Sequence, residues 1–161
     1  MNILVLNGPN LNLLGLRAPD VYGSTTIDQL CDRLEHYAAA RDIALTCVQS
    51  NHEGAIIDAL HDAIGRYDGV VLNPGALGHY SWALRDAVDA LRDAGLPTVE
   101  VHLSEPRERP EAFRHVDVLD GVVAARFAGL GGAGYERALD VLGAGRTPPV
   151  KTPIDADIPG D

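Results

Sequence analysis

The chain has 161 residues, of which 46% are hydrophobic and 22% charged, and its formal net charge is −10 at pH 7. This charge argues against nucleic acid and anionic membranes as partners, although a few local arginines can still bind a small anion. No stretch approaches the ~20 apolar residues of a membrane span, and Met1 leads into an apolar run without a signal-peptide pattern, so we expect a cytoplasmic protein.

Five short apolar runs alternate with helical patterns along the chain. Continuous apolar runs of this length are typical of strands that are buried on both faces of a sheet. The predicted strands cover residues 3–6, 44–48, 70–72, 98–101 and 122–127. Cys31 and Cys47 fall in a helical and a strand-like stretch, and we expect both to be reduced core thiols.

Helical periodicity follows each of the first three runs and also the last one. The first helix is predicted to open at Thr26, because its Thr-x-x-Gln spacing to Gln29 forms a capping box. The second is predicted to end near Gly65. The third places Trp82 on its apolar stripe and ends at Gly95. The last covers 134–142, and residues 144–161 form a Gly- and Pro-rich tail that we expect to be disordered.

This alternation of strands and helices predicts one α/β domain over residues 1–143. Right-handed crossovers between parallel strands place helices on both faces of the sheet. Five strands favour the flavodoxin-like, doubly wound arrangement.

Polar residues crowd the ends of four predicted strands. In open parallel sheets, ligands bind beyond the carboxyl ends of the strands, so these side chains predict a site at one edge. For Asn51 and Glu53 we favour helix capping over chemistry. The four segments are 7–10, 49–53, 73–79 and 100–104.

Residues 11–23 form a loop without clear periodicity that is longer than most connections of this kind. Glycines bracket its second half, which carries Arg17 and Tyr22. A hinged lid is one interpretation. The alternative, of equal weight, is that Tyr22 packs on the body of the protein and Arg17 is solvated.

Several common cofactor motifs are missing from the sequence. It contains neither a phosphate-binding loop nor a dinucleotide fingerprint, and no His-x-x-x-His pair for zinc. The remaining tyrosine, histidine, arginine, asparagine and carboxylate side chains favour acid–base chemistry, and we expect no cofactor and no metal.

Several motifs follow one another in order along the chain: LNGPNLNLLG at 6–15, QSNHEG at 49–54, NPGA at 73–76, VEVHLS at 99–104 and FRH at 113–115. Together they resemble the type II 3-dehydroquinate dehydratases over residues 2–142. The resemblance implies a flavodoxin-like fold, a homo-oligomer (a dodecamer built from trimers), and conversion of 3-dehydroquinate, a small anionic carbocycle, to 3-dehydroshikimate. That reaction serves the shikimate route or quinate breakdown.

The resemblance also implies roles for individual residues. Tyr22 would remove a C2 proton and Arg17 would hold it as phenolate. Asn10 would bind the enolate through a water, and His102, its tautomer defined by nearby Glu100, would protonate the departing C1 hydroxyl. Substrate would be bound by Asn73, His79, Asp86 (from a neighbouring subunit), Leu103, Ser104 and Arg114.

The sequence departs from the family pattern after Ser104. The stretch 105–114 is one residue longer, and an acid at Glu105 is expected to weaken substrate binding and makes the placement of Arg109 and Arg114 less secure. Arg126 stands where an apolar residue is usual, which favours a subunit contact. Two alternatives therefore stay open: a dehydratase of a related cyclic β-hydroxy ketone, and a catalytically silent member that serves binding or assembly.

Overall fold

A computed structural model describes residues 1–16 and 24–145. The strands are β1 (Asn2–Asn7), β2 (Ala44–Gln49), β3 (Gly69–Asn73), β4 (Thr98–His102) and β5 (Ala125–Ala128). The helices are α1 (Ile27–Ala39), α2 (Glu53–Ala63), α3 (Trp82–Asp93) and α4 (Ala133–Ala144). Short 3₁₀ turns cover Leu11–Leu13, Gly75–His79, Pro106–Glu108 and Ala112–His115.

The five strands form one parallel sheet in the order β2-β1-β3-β4-β5. Asn7 at the end of β1 is in register with Gln49 of β2 and with Asn73 of β3, so the carboxyl ends of these strands meet at one edge. The predicted α/β class and doubly wound parallel arrangement are confirmed.

Alternate residues of the central strands pack against helices on opposite faces of the sheet. Leu4 and Leu6 of β1 belong to the core beneath α2 and α3, whereas Ile3 and Val5 face α1 and α4. Burial of each such side chain stabilises the fold by about 1.5–3 kcal/mol. The two-sided burial explains why these strands have no polar alternation in the sequence.

The two edge strands depart from this pattern. The residues of β2 and β5 are only partly buried, so the expectation of burial on both faces is right for β1, β3 and β4 and wrong at the edges. The last strand also begins at Ala125 and not at 122. Val122 is buried after a turn at Gly121 (φ 80°) and packs in the core of α2 and α3, where it needs no strand pairing.

Local sequence signals define most helix ends. Thr26 caps α1 in a capping box, with the Gln29 amide donating to Thr26 Oγ1 (3.2 Å) and the Thr26 amide donating to Gln29 Oε1 (3.0 Å). Gly95 follows α3 with a φ of 77°, as predicted. Trp82 is 64% exposed, so its predicted place on the apolar stripe is wrong: it is the first residue after the cap at Ser81, and the stripe begins at Leu84.

Helix α4 continues to Ala144, one residue into the predicted tail, and the tail residues 146–161 lie outside the described residues.

Both cysteines are free and half-buried. A hydrogen bond from Cys31 and burial raise the pKa of the Cys47 thiol. Within residues 1–16 and 24–145, no helix is long and apolar enough to cross a membrane.

Candidate active site

A close backbone approach joins the ends of β1 and β3. The Gly8 amide donates to the Asn73 carbonyl (2.7 Å), and a Cβ at Gly8 would lie 2.5 Å from the Pro74 carbonyl oxygen. Because real side chains do not approach a backbone oxygen that closely, glycine is required at this position. The approach places the turn after β1 against the turn after β3.

A cavity of about 180 Å³ opens above these joined strand ends. The predicted site residues that line it come from three strand ends and from the segment after β4. They are Asn10, Asn73, His79, His102, Leu103, Ser104 and Arg114. Pro9, Leu11, Leu13, Leu14, Gly75, Ala76, Pro106, Arg109 and Phe113 complete the lining.

His102 and Glu100 form a buried pair at the end of β4. Glu100 is fully buried and His102 is 7% exposed, and His102 Nε2 lies 2.6 Å from Glu100 Oε1. A buried carboxylate charge requires a partner, and the imidazole supplies it. Because Nε2 donates to the carboxylate, Nδ1 is the ring nitrogen left to a ligand in the cavity. This geometry can orient a proton donor.

His79 is fixed by contacts on two sides. Its Nδ1 donates to the Val116 carbonyl (2.7 Å), which leaves Nε2 able to accept a hydrogen bond. Its ring stacks on His102 with 6.4 Å between ring centroids, and Phe113 contacts it edge-on at 5.7 Å. Two imidazoles therefore line one wall of the cavity side by side.

Asn73 is oriented by a tyrosine from a helix that covers this face of the sheet. Tyr135 of α4 is fully buried, accepts a hydrogen bond from Asn73 Nδ2 (2.8 Å) and donates to Asn7 Oδ1 (2.7 Å). Asn73 Oδ1 also accepts from the Gly75 amide (3.2 Å). Burial raises the pKa of the Tyr135 hydroxyl, which keeps it protonated as a donor.

Asn10 has a left-handed backbone conformation (φ 69°), which asparagine tolerates better than most residues. The backbone N–H of Asn10 donates to Asn51 Oδ1 (2.8 Å), and the same oxygen also accepts from Gln49 Nε2 (3.1 Å). The capping interpretation of Asn51 and Glu53 is wrong, because His52 is the N-cap of α2 and no side chain caps it. Asn51 instead holds the turn that presents Asn10.

The segment after β4 brings two arginines to the cavity. Arg109 Nη2 donates to Ser104 Oγ at 3.4 Å. Arg114 Nε donates to Glu111 (3.0 Å), and its guanidinium lies 4.8 Å from the centroid of the Phe113 ring. These arginines supply positive charge where an anionic ligand would enter.

The acid at position 105 does not line the cavity. Glu105 accepts hydrogen bonds from Arg126 at 3.1 and 3.2 Å, and this pairing lowers the pKa of its carboxyl group. The Arg126 guanidinium, expected to make a subunit contact, is directed to acids of its own chain.

The remaining predicted residues lie elsewhere. Asp86 is on the exposed side of α3 and does not line the cavity of this chain. Tyr22 and Arg17, together with most of the predicted lid, lie outside the described residues. At the near end of that loop Leu11–Leu13 form a 3₁₀ turn, and a Cβ at Gly15 would lie 2.9 Å from the Ser24 carbonyl oxygen.

A doubly wound α/β fold with an imidazole–carboxylate pair and convergent amides at its strand ends is an arrangement that can support acid–base chemistry. Residues 1–143 match the family described as dehydroquinase class II. The chain belongs to the class II dehydroquinases, and the protein is therefore a hydro-lyase.

Individual relatives agree with this assignment. The 3-dehydroquinate dehydratase of Bacillus licheniformis is 54% identical over 138 residues, which cover 86% of this chain and 92% of that protein. The crystal structure of the type II dehydroquinase from Butyrivibrio crossotus matches with a TM-score of 0.84 at 44% identity, covering 88% of this chain and 97% of that one. The enzyme from Propionibacterium acnes gives a TM-score of 0.83 at 40% identity, covering 89% and 96%.

Sequence reasoning assigned no role in the site to Tyr135 and misread Asn51. A signal existed for Tyr135: Asn7 and Asn73 end neighbouring strands, and buried amides need hydrogen-bond partners, so a polar group had to face them from a covering helix. Asn51 gave no comparable signal, because its partner is the backbone of a turn that is remote in sequence.

Proposed function

We propose that this protein removes water from 3-dehydroquinate to form 3-dehydroshikimate. The observation that carries the proposal is the convergence of Asn10, Asn73, His79 and the His102–Glu100 pair on one cavity in a class II dehydroquinase chain. The substrate is a small anionic carbocycle, and the arginines beside the cavity suit its carboxylate.

In the proposed reaction Tyr22 takes a proton from C2, beside the ketone of the substrate. The C–H electron pair moves into an enolate, whose oxygen charge Asn10 stabilises through a water. The enolate then collapses, a C1–C2 double bond forms, and the C1 hydroxyl leaves as water with a proton from His102. One preorganised donor to a developing oxyanion contributes about 3–4 kcal/mol in comparable enzymes.

The role of His102 is supported by its hydrogen bond to Glu100. A carboxylate that holds Nε2 fixes the ring orientation and stabilises the imidazolium, as the aspartate does in serine-protease triads. General acid catalysis of this kind is worth ~10² to 10⁴ in rate.

Tyr22 acts as the base in its phenolate form. An ordinary tyrosine has a pKa near 10, so about one in a thousand is ionised at neutral pH. A close Arg17 in a closed, dry site can favour the phenolate by up to ~3 pKa units. A lid that closes over the substrate with both residues would supply that environment.

Asn73, His79, Leu103, Ser104 and Arg114 bind the substrate in this proposal, and Asp86 reaches the site of a neighbouring subunit. The exposed position of Asp86 on α3 is compatible with such a contact. The assembly is a dodecamer of trimers, and the enzyme works in the cytoplasm without a cofactor, in aromatic biosynthesis or quinate breakdown.

A silent family member was favoured only by the altered stretch after Ser104. The pairing of Glu105 with Arg126 turns that acid away from the cavity, which supports an active dehydratase over this alternative.

The test is an ultraviolet assay, since the product contains a conjugated enone and the substrate does not. Wild-type protein should give rising absorbance with 3-dehydroquinate. Tyr22→Phe should lose about 10³-fold in kcat with substrate binding retained. Tyr37→Phe, which removes a hydroxyl bonded to Asp140 on α4, is the matched control and should keep full activity. A flat trace from folded wild-type protein would contradict the proposed function.

A further inference from the structure

Three charged side chains form an ion-pair group beside the cavity, and the proposed reaction does not use any of them. Arg126 of β5 donates from Nη2 to Glu105 Oε1 (3.1 Å) and from Nη1 to Glu105 Oε2 (3.2 Å). Its Nε lies 3.0 Å from Asp117 Oδ2, although the N–H does not point at that oxygen. One guanidinium thus joins two carboxylates.

The group is shielded from solvent more than a surface ion pair. The Asp117 side chain is 8% exposed, and those of Arg126 and Glu105 are 24% and 25% exposed. A two-pronged guanidinium–carboxylate contact fixes the direction of both side chains, which a single lysine contact would not do. The direction of the Glu105 carboxylate is therefore set by Arg126.

The two acids belong to the two segments that border the cavity. Glu105 directly follows Ser104, and its Oε1 also accepts from the Arg107 amide (3.1 Å), which caps the 3₁₀ turn Pro106–Glu108. Asp117 directly follows Val116, whose carbonyl holds His79. Arg126 therefore connects the turn that carries Ser104 with the segment that orients His79.

The charge of Glu105 matters because the cavity is proposed to bind an anion. Arg109 and Arg114 line it, whereas Glu105 is directed away. Without Arg126, the Glu105 carboxylate could rotate toward the cavity opening beside Ser104. A negative charge that faces a bound carboxylate would weaken binding by about tenfold or more at the low effective dielectric of a protein cleft.

We propose that Arg126 is a positioning residue for substrate binding, which keeps the Glu105 carboxylate out of the anion-binding cavity and fixes the Ser104–Arg109 turn. Glu105 and Arg126 thereby act as a pair, in which the arginine neutralises the acid and adds two contacts to the one from the Arg107 amide. This inference rests on the proposed dehydration of 3-dehydroquinate.

The test compares four proteins by steady-state kinetics: wild type, Arg126→Met, Glu105→Gln, and the double variant. Arg126→Met should raise KM about tenfold, and kcat should change by a smaller factor, which is not zero because Arg126 lies beside Glu100 in the sheet and its charge reaches that carboxylate. Glu105→Gln alone should stay within threefold of the wild-type KM. The double variant should return to within threefold, because the acid that Arg126 restrains is no longer there.

The recovery in the double variant separates positioning from a merely structural role. If Arg126 only supported the fold, the double variant would remain as impaired as Arg126→Met, and the inference would be overturned. If Arg126→Met fails to fold, Arg126→Lys takes its place, because it keeps the charge without the two-pronged contact. Its KM should lie between those expected for the wild type and for Arg126→Met. A KM equal to that of wild type would contradict the inference. Arg33→Met, which removes an ion pair between exposed Arg33 of α1 and half-buried Glu136 of α4, is the matched control with unchanged KM. Absence of turnover in the wild type would overturn the proposed function as well.

Discussion

The two sides of the cavity are built in different ways. The strand-end wall, formed by Asn73, Glu100 and His102, is buried and held by hydrogen bonds within the sheet and to α4. The loop wall, formed by residues 104–114, is half-exposed or exposed at most positions, and ion pairs such as Glu105–Arg126 hold it.

The difference teaches how the tasks of the site are divided. Proton transfer needs closely positioned groups, and in the strand-end wall the sheet holds His102 and Glu100 in place. Recognition of a charged carboxylate tolerates looser geometry, since electrostatic attraction varies gradually with distance. We therefore expect substitutions in the strand-end wall to lower kcat and substitutions in the loop wall to raise KM.

The largest effect is expected for His102→Asn in the strand-end wall. Loss of the proposed general acid should lower kcat by about 10³-fold, with a much smaller change in KM. The enone absorbance at saturating 3-dehydroquinate measures it. The same substitution at exposed His61 of α2 should leave kcat unchanged. If His102→Asn kept more than a tenth of the wild-type kcat, the assignment of the chemistry to the strand-end wall would be wrong.

Arg114→Met tests the loop wall. Loss of a charge-assisted hydrogen bond to the substrate carboxylate should raise KM about 10- to 100-fold while kcat falls less than fivefold. Initial rates over a wide substrate range give both constants. Arg92→Met, which removes an exposed ion pair with Asp89 on α3, should have normal kinetics. A fall in kcat at constant KM would show that the loop wall takes part in the chemistry.

Tyr135→Phe probes the support behind the strand-end wall. Removal of the hydroxyl takes the hydrogen-bond partner from buried Asn73 Nδ2 and from buried Asn7 Oδ1, so the free energy of unfolding should fall by about 1–3 kcal/mol. Urea denaturation measures the loss. The half-buried counterpart Tyr37→Phe should cost less than half as much, because the Tyr37 hydroxyl and its partner Asp140 can bind water instead. An equal decrease in the free energy of unfolding for the two variants would contradict the prediction that the deeper burial of the Tyr135 hydroxyl makes its loss more costly.

The smallest effect concerns the pH dependence of stability. Arg126 lowers the pKa of Glu105, so this ion pair stabilises the folded protein above the unfolded-state pKa of about 4.3, and the contribution is lost as pH falls through the lower folded-state value. Glu105→Gln should therefore lower the melting temperature by no more than about 3 °C at pH 7 and by less at pH 3. A gap that widens in acid would contradict the assigned direction.

The sequence by itself determined the alternation of strands and helices and the edge at which the polar residues meet. Runs such as 3–6 and 70–72 are apolar without alternation because both sides of the sheet are covered, and the capping box at Thr26 is a purely local interaction. The presence of Asn10, Asn73, His79 and His102 in one cavity follows from the parallel order of the strands.

Only the tertiary structure decided which side chains support those residues. The contacts of Tyr135 with Asn7, Asn51 with Asn10 and Arg126 with Glu105 join positions that are 128, 41 and 21 residues apart. No local pattern encodes such contacts, because they depend on how helices and loops settle on the finished sheet. For the same reason, sequence alone placed the acid at position 105 next to the expected substrate-binding loop, whereas the fold turns it toward an arginine of the neighbouring strand.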